Sequence, residues 1–240
     1  MMSLPANILG IIPFGVITIA IGVWVMLSES ASSTPSARRW MLGIGLALVA
    51  WFVAAFTLTR SGLFLGEGLL PGLRLGLALA LPVLIGVMAY RALPALRAIV
   101  DAVPVHWLIG FQFARNLGIV FLVLADIGLL PTVFAYPAGY GDVLVGLLAP
   151  LVALAYFRRK PYARGLAIIW NVIGLLDFAV ALGTALANVD TFTSPVVLSH
   201  IQLIPTFGVP LFILLHLATL RQLTRRQAER IAFASLASNY

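Results

Sequence analysis

Arg115 stands inside an apolar run at 107–130 with Gln112 and Asn116 beside it, and Asp177 stands inside another at 163–187. An arginine side chain does not lose its proton. A charge at the centre of a bilayer costs about 2.5–3.5 kcal/mol on insertion scales. Such a residue has to face the interior of a helix bundle, where an acid, an amide or water meets it. A carboxylate buried in the same bundle is the natural partner, because neither charge is stable there alone. Two kinds of chemistry are open to the pair: Arg115 binding an anionic group, or Asp177 carrying a proton while Arg115 balances its charge.

Helical spacing enlarges the set. At about 100° per residue, Gln112, Arg115 and Asn116 share a face with Asp126 further along it, while Gly110, Ala114 and Gly118 form a small-residue face that admits a neighbouring backbone. At a rise of about 1.5 Å per residue, Asn171 falls level with Arg115 and Gln202 level with Asp177. Thr206 lies one turn from Gln202 on the same face. The expected site is a polar midplane pocket lined by Gln112, Arg115, Asn116, Asn171, Asp177, Gln202 and Thr206, which binds or translocates a small molecule or ion.

A second group is expected at the outer face. Asp126, Asp142 and His200 flank the segment FAYPAGYG, whose glycines and prolines resist helix and suit a folded-back lid. Histidine beside carboxylates titrates near neutral pH, so this group would act as an outer gate or proton site. The plainer reading makes Asp142 an N-cap of the fifth helix and leaves Asp126 among headgroups. His106 and His216 fall near the cytoplasmic edge, a weak basis for a haem site, and the three histidines are too scattered for a zinc site. No metal and no cofactor are expected.

The elements that hold these residues follow from composition. The chain of 240 residues is 62% hydrophobic and 10% charged, with mean hydropathy +1.07. Soluble domains carry about 25% charged residues, so the lipid bilayer is the expected solvent. The absence of cysteine excludes disulfides, thiolate metal sites and a cysteine nucleophile. The net charge of +7 does not point to nucleic acid, because the cations cluster between apolar runs. The first run lacks a basic n-region and is long enough to span, which argues against a cleaved signal peptide.

The expected fold is all-α, a seven-transmembrane-helix bundle with spans near 5–27, 40–59, 71–90, 107–130, 141–157, 163–187 and 196–220. Residues 1–220 form one transmembrane domain and 221–240 a basic cytoplasmic tail. Twelve cations fall on one side: Arg38, Arg39, Arg91, Arg97, Arg158, Arg159, Lys160, Arg164, Arg221, Arg225, Arg226 and Arg230. Only Arg60 and Arg74 fall on the other. That asymmetry puts the N-terminus outside and the C-terminus in the cytoplasm of an inner membrane. The stretch from Arg91 to Val105 reads as an interfacial helix or a plain linker, and Pro82, Pro150 and Pro205 mark kinks.

Seven spans with this orientation are similar to rhodopsins, to small sugar transporters with a proline-glutamine loop, and to membrane ceramidase-like hydrolases. The deciding residues are missing in each case. The only lysine, Lys160, is in a loop, there is no Pro-Gln dipeptide, and the histidines are spread over both faces. Two alternatives to transport remain. One is a membrane-embedded enzyme acting on lipid at the outer face, with Asp142 and His200 as acid and base. The other is a non-catalytic membrane subunit whose polar residues only hold helices together.

Overall fold

In a computed structural model, residues 6–31, 35–66, 68–188, 191–192 and 194–237 are described, with side chains from Leu9 to Arg225. Arg226 and Arg230 of the basic tail therefore lie outside the described side chains. Among the described residues, seven helices are long and apolar enough to cross a membrane, and large hydrophobic side chains such as Leu42, Leu84, Leu151 and Ile169 are exposed on their outer faces. A water-soluble protein does not expose so much apolar surface. This is the make-up of a multi-pass membrane protein.

Helices α1 (Ala6–Ser30), α2 (Pro35–Arg60) and α3 (Leu69–Ala92) form the first three spans. A short helix α4 (Pro94–Ala102) follows. It is a structural element and not a plain linker: Gln222 Nε2 donates to Val100 O and Val103 O, both at 3.1 Å, and Tyr90 and Arg225 both bond Asp101. The fourth span is composite, with α5 (Val105–Gly110), a 3₁₀ stretch (Phe111–Gly118) and α6 (Ile119–Asp126). Helices α7 (Thr132–Phe157) and α8 (Ala163–Ala187) are the fifth and sixth spans. The seventh combines α9 (Pro195–Ile201), a π turn (Ile204–Gly208) and α10 (Val209–Ala237). The fourth and seventh spans are the most buried, and α2 and α3 lie at the periphery.

The fifth span corrects the sequence-based expectation. The segment FAYPAGYG is not a lid; it is the first half of α7, which starts at Thr132 and not near Gly141. Two physical causes act. The turn before it is a Schellman motif: Gly128 adopts φ +73°, its N–H bonds Ala125 O at 2.9 Å, and Leu129 N–H bonds Leu124 O at 2.8 Å. Pro131 follows and α7 begins at once. Second, glycine and alanine pack spans closely rather than loosening them. Ala135, Ala138, Gly139, Asp142, Gly146 and Ala149 are all buried at helical spacing, and this small-residue stripe packs against the fourth span and α8.

Of the three expected kinks, only Pro205 coincides with a change of helix type. Pro82 and Pro150 lie within the uninterrupted helices α3 and α7. At the π turn, Thr206 O loses its usual donor because the residue four positions on, Pro210, has no N–H. Trp51 Nε1 supplies one instead, at 3.1 Å, and its ring packs 4.5 Å from that of Phe207. Trp51→Phe is expected to lower unfolding stability by about 1–3 kcal/mol, the cost of an orphaned buried carbonyl. Adding Pro210→Ala restores a backbone donor and should recover most of the loss in an SDS unfolding titration.

Candidate functional site

The 3₁₀ stretch of the fourth span positions Arg115. With three residues per turn, positions i and i+3 eclipse, so Gln112, Arg115 and Gly118 line one buried face. Asn116, expected on that face, is turned away by about 120°. Its Nδ2 donates to Phe113 O at 2.6 Å, and it lies against Gly146 of α7.

Arg115 is 1% exposed and its guanidinium is almost fully engaged. Nε donates to Asp142 Oδ1 at 2.8 Å, Nη1 donates to Gly174 O at 3.2 Å, and Nη2 donates to Asp177 Oδ2. Phe178 covers it, with the ring centroid 3.9 Å from Cζ. Nη1 also lies 3.2 Å from His216 Nε2. Because arginine only donates, that ring nitrogen must offer its lone pair. The imidazole is therefore neutral and carries its proton on Nδ1, which is 2.8 Å from Asn171 Oδ1. Asn171 in turn donates to Ala167 O at 2.6 Å. Four spans thus meet in one chain of hydrogen bonds.

Glycines make room for it. A methyl group at Gly118 would strike Asp142, one at Gly141 would strike the Asp177 carboxylate, and one at Gly174 would lie 2.6 Å from His216 Nε2 and 3.0 Å from Arg115 Nη1. Asp142, Asp177, His216 and the Arg115 guanidinium each rest where a neighbouring helix has no Cβ.

In the structure Arg115 meets Asp177 and Asp142 directly and is linked to Asn171 through His216. Asp142 was expected at the outer surface; it sits within α7, 7% exposed, as an ion-pair partner of Arg115. His216 was expected at the cytoplasmic edge and is fully buried. Its place was legible in one respect: it interrupts the run LFILLHLATL, which has no aqueous face. Gln112, Gln202 and Thr206 are buried but point elsewhere. Gln112 Nε2 donates to Phe212 O, Gln202 Nε2 donates to Phe64 O, and Thr206 Oγ1 donates to Gln202 O. The outer group does not assemble. Asp126 is exposed and accepts from Tyr136 Oη, His200 Nδ1 bonds Val196 O of its own helix, and no hydrogen bond joins Asp126, Asp142 and His200 among the described residues. His106 packs against Trp107 and Phe157, apart from His216, so the two histidines do not face each other as axial ligands.

Two cavities touch Asp142. One of about 120 Å³ lies among α3, α7, α8 and the start of the seventh span, and reaches from the 64–66 loop to Asp142. The other, about 10 Å³, lies between Arg115, Asp142 and Phe212 and is the size of one water molecule.

His216 and Asn171 act as a unit, so their replacements should not add. His216→Leu is expected to cost about 1–3 kcal/mol by stranding Arg115 Nη1 and Asn171. His216→Leu with Asn171→Leu should cost less than the two single changes summed, by about 0.5–3 kcal/mol. A double-mutant cycle on SDS unfolding measures this directly.

A family model described as a domain of unknown function (DUF8737) matches residues 72–224, a span that takes in Arg115, Asp142, Asp177 and His216. No curated protein and no solved structure matches the chain.

Proposed function

The chain belongs to the DUF8737 family, whose description assigns no activity, and from the geometry we propose that it binds and translocates a small molecule or ion at the Arg115 cluster. The observation that carries this reading is a charge imbalance. One guanidinium is shared by two carboxylates, so with both ionised the cluster has a net charge of −1 in a buried site. A buried excess charge is unstable unless something neutralises it. A proton or a monocation does so, and its arrival and departure is the working step. Arg115 is not an anion receptor in this scheme, because its donors are already directed at protein acceptors. The 120 Å³ cavity supplies a route to Asp142 from the end of the bundle that holds the 64–66 loop.

The positive-inside asymmetry supports an inner-membrane location with the N-terminus outside. In that orientation the cavity faces outward. Solid-supported-membrane recording on proteoliposomes tests the proposal. A step to lower pH should give a current in the wild type with a sustained component. Asp177→Asn, which leaves the Arg115–Asp142 pair and a neutral cluster, should abolish it in protein that still elutes as folded. A wild type without current, or an Asp177→Asn current equal to the wild type's, would overturn the reading.

A further inference from the structure

We infer that the 120 Å³ cavity is a binding site for a small primary ammonium compound with an apolar body, its charged end against Asp142. This rests on the net-negative cluster above and goes on to specify the ligand. The walls are apolar and unusually aromatic. Phe64, Phe121, Phe134, Phe178 and Phe192 all line the space. Phe134 meets Phe121 at 5.5 Å and Phe192 at 5.2 Å, both edge to face, which forms a continuous ring-lined wall. Aromatic faces attract cations and repel anions.

Among the described residues, only two side chains in the lining, Asp142 and Gln202, carry polar groups. Asp142 is an acceptor. Gln202 is 5% exposed, its amide nitrogen is engaged with Phe64 O, and its Oε1, buried like those of Gln112 and Gln222, has no hydrogen-bond partner among the described residues. The complement of a carboxylate acceptor, a surplus negative charge and ring-lined walls is a group that donates hydrogen bonds, carries one positive charge and has an apolar remainder. A protonated primary amine has these properties. A proton or a bare metal ion would leave the aromatic space empty, and a carboxylate would meet only acceptors. Apolar cavities of about 150 Å³ admit benzene, so the apolar body is ring-sized or a short alkyl chain.

Radiolabelled benzylammonium is the probe, measured at equilibrium on the full chain in nanodiscs with empty nanodiscs subtracted. Wild type should bind it at least tenfold more tightly than the shape-matched neutral benzyl alcohol, and should not bind benzoate. Phe134→Leu, which removes the ring between Phe121 and Phe192 from the cavity wall, should weaken benzylammonium binding at least fivefold. Asp142→Asn should weaken it more than tenfold. Equal binding of benzyl alcohol, any preference for benzoate, or Phe134→Leu protein that binds like wild type would overturn the inference. The pH-step current on the same wild-type preparation separates the two levels. A current without benzylammonium binding removes the ligand assignment and leaves the charge-cluster reading. The absence of both removes both.

Discussion

Arg115→Met is expected to be the most damaging single substitution in the protein, with a loss of about 3–5 kcal/mol, the cost of removing one partner from a buried ion pair. The wild-type cluster tolerates two carboxylates because one guanidinium donates to both, through Nε and Nη2. Methionine matches only the aliphatic stem, so both acids lose their donor and the guanidinium stacked on Phe178 is lost as well. The compensating change distinguishes a charge effect from a packing effect. Arg115→Met with Asp142→Asn and Asp177→Asn carries no ionised group in the cluster, and buried ion networks replaced by neutral residues of similar volume are often no less stable than the original. The triple variant should therefore unfold at a higher SDS fraction than Arg115→Met alone. A triple variant weaker than the single one would mean that Arg115 acts through its shape, and that the carboxylates do not depend on it.

The second large effect is a reversal of sign among glycines. Gly141→Ala places a methyl group on the Asp177 carboxylate. That carboxylate is held by Arg115 and cannot retreat without breaking the ion pair. Overpacking of this kind costs about 1–3 kcal/mol. Gly165 and Gly183, both in α8, have nothing within 4 Å of a built Cβ. Alanine there should stabilise the helix by roughly 0.5–1 kcal/mol, since glycine loses more backbone entropy on folding. Thermal unfolding in one detergent, followed by fluorescence, ranks the three. If Gly141→Ala shifts the midpoint upward with the two controls, Asp177 is not confined as described.

The lesson of Asp142 is about context. Glycine and proline in FAYPAGYG carry the same local preferences in water and in lipid. In water those preferences favour a loop; inside a bundle, where an unpaired backbone group is costly, the helix persists and the small residues become contact points. The spacing of Ala135, Ala138, Asp142, Gly146 and Ala149 was available to be read as one stripe, and it places Asp142 facing inward. Asn116 failed for the opposite reason. The wheel assumed 100° per residue, and the 3₁₀ winding of Phe111–Gly118 redistributed the faces.

Hydrophobicity over windows of about twenty residues determined the seven helices, because covering so much apolar surface is a property of composition and needs no knowledge of neighbours. The inward turn of Arg115 followed from the same cost. Which groups would receive its donors was decided only by the packed bundle. That choice rests on which helices adjoin, how each is wound and where a missing Cβ lets two backbones close, and these are relations between residues as far apart in the chain as Arg115 and His216. A one-dimensional pattern specifies what must be buried; the three-dimensional arrangement specifies what each buried group meets.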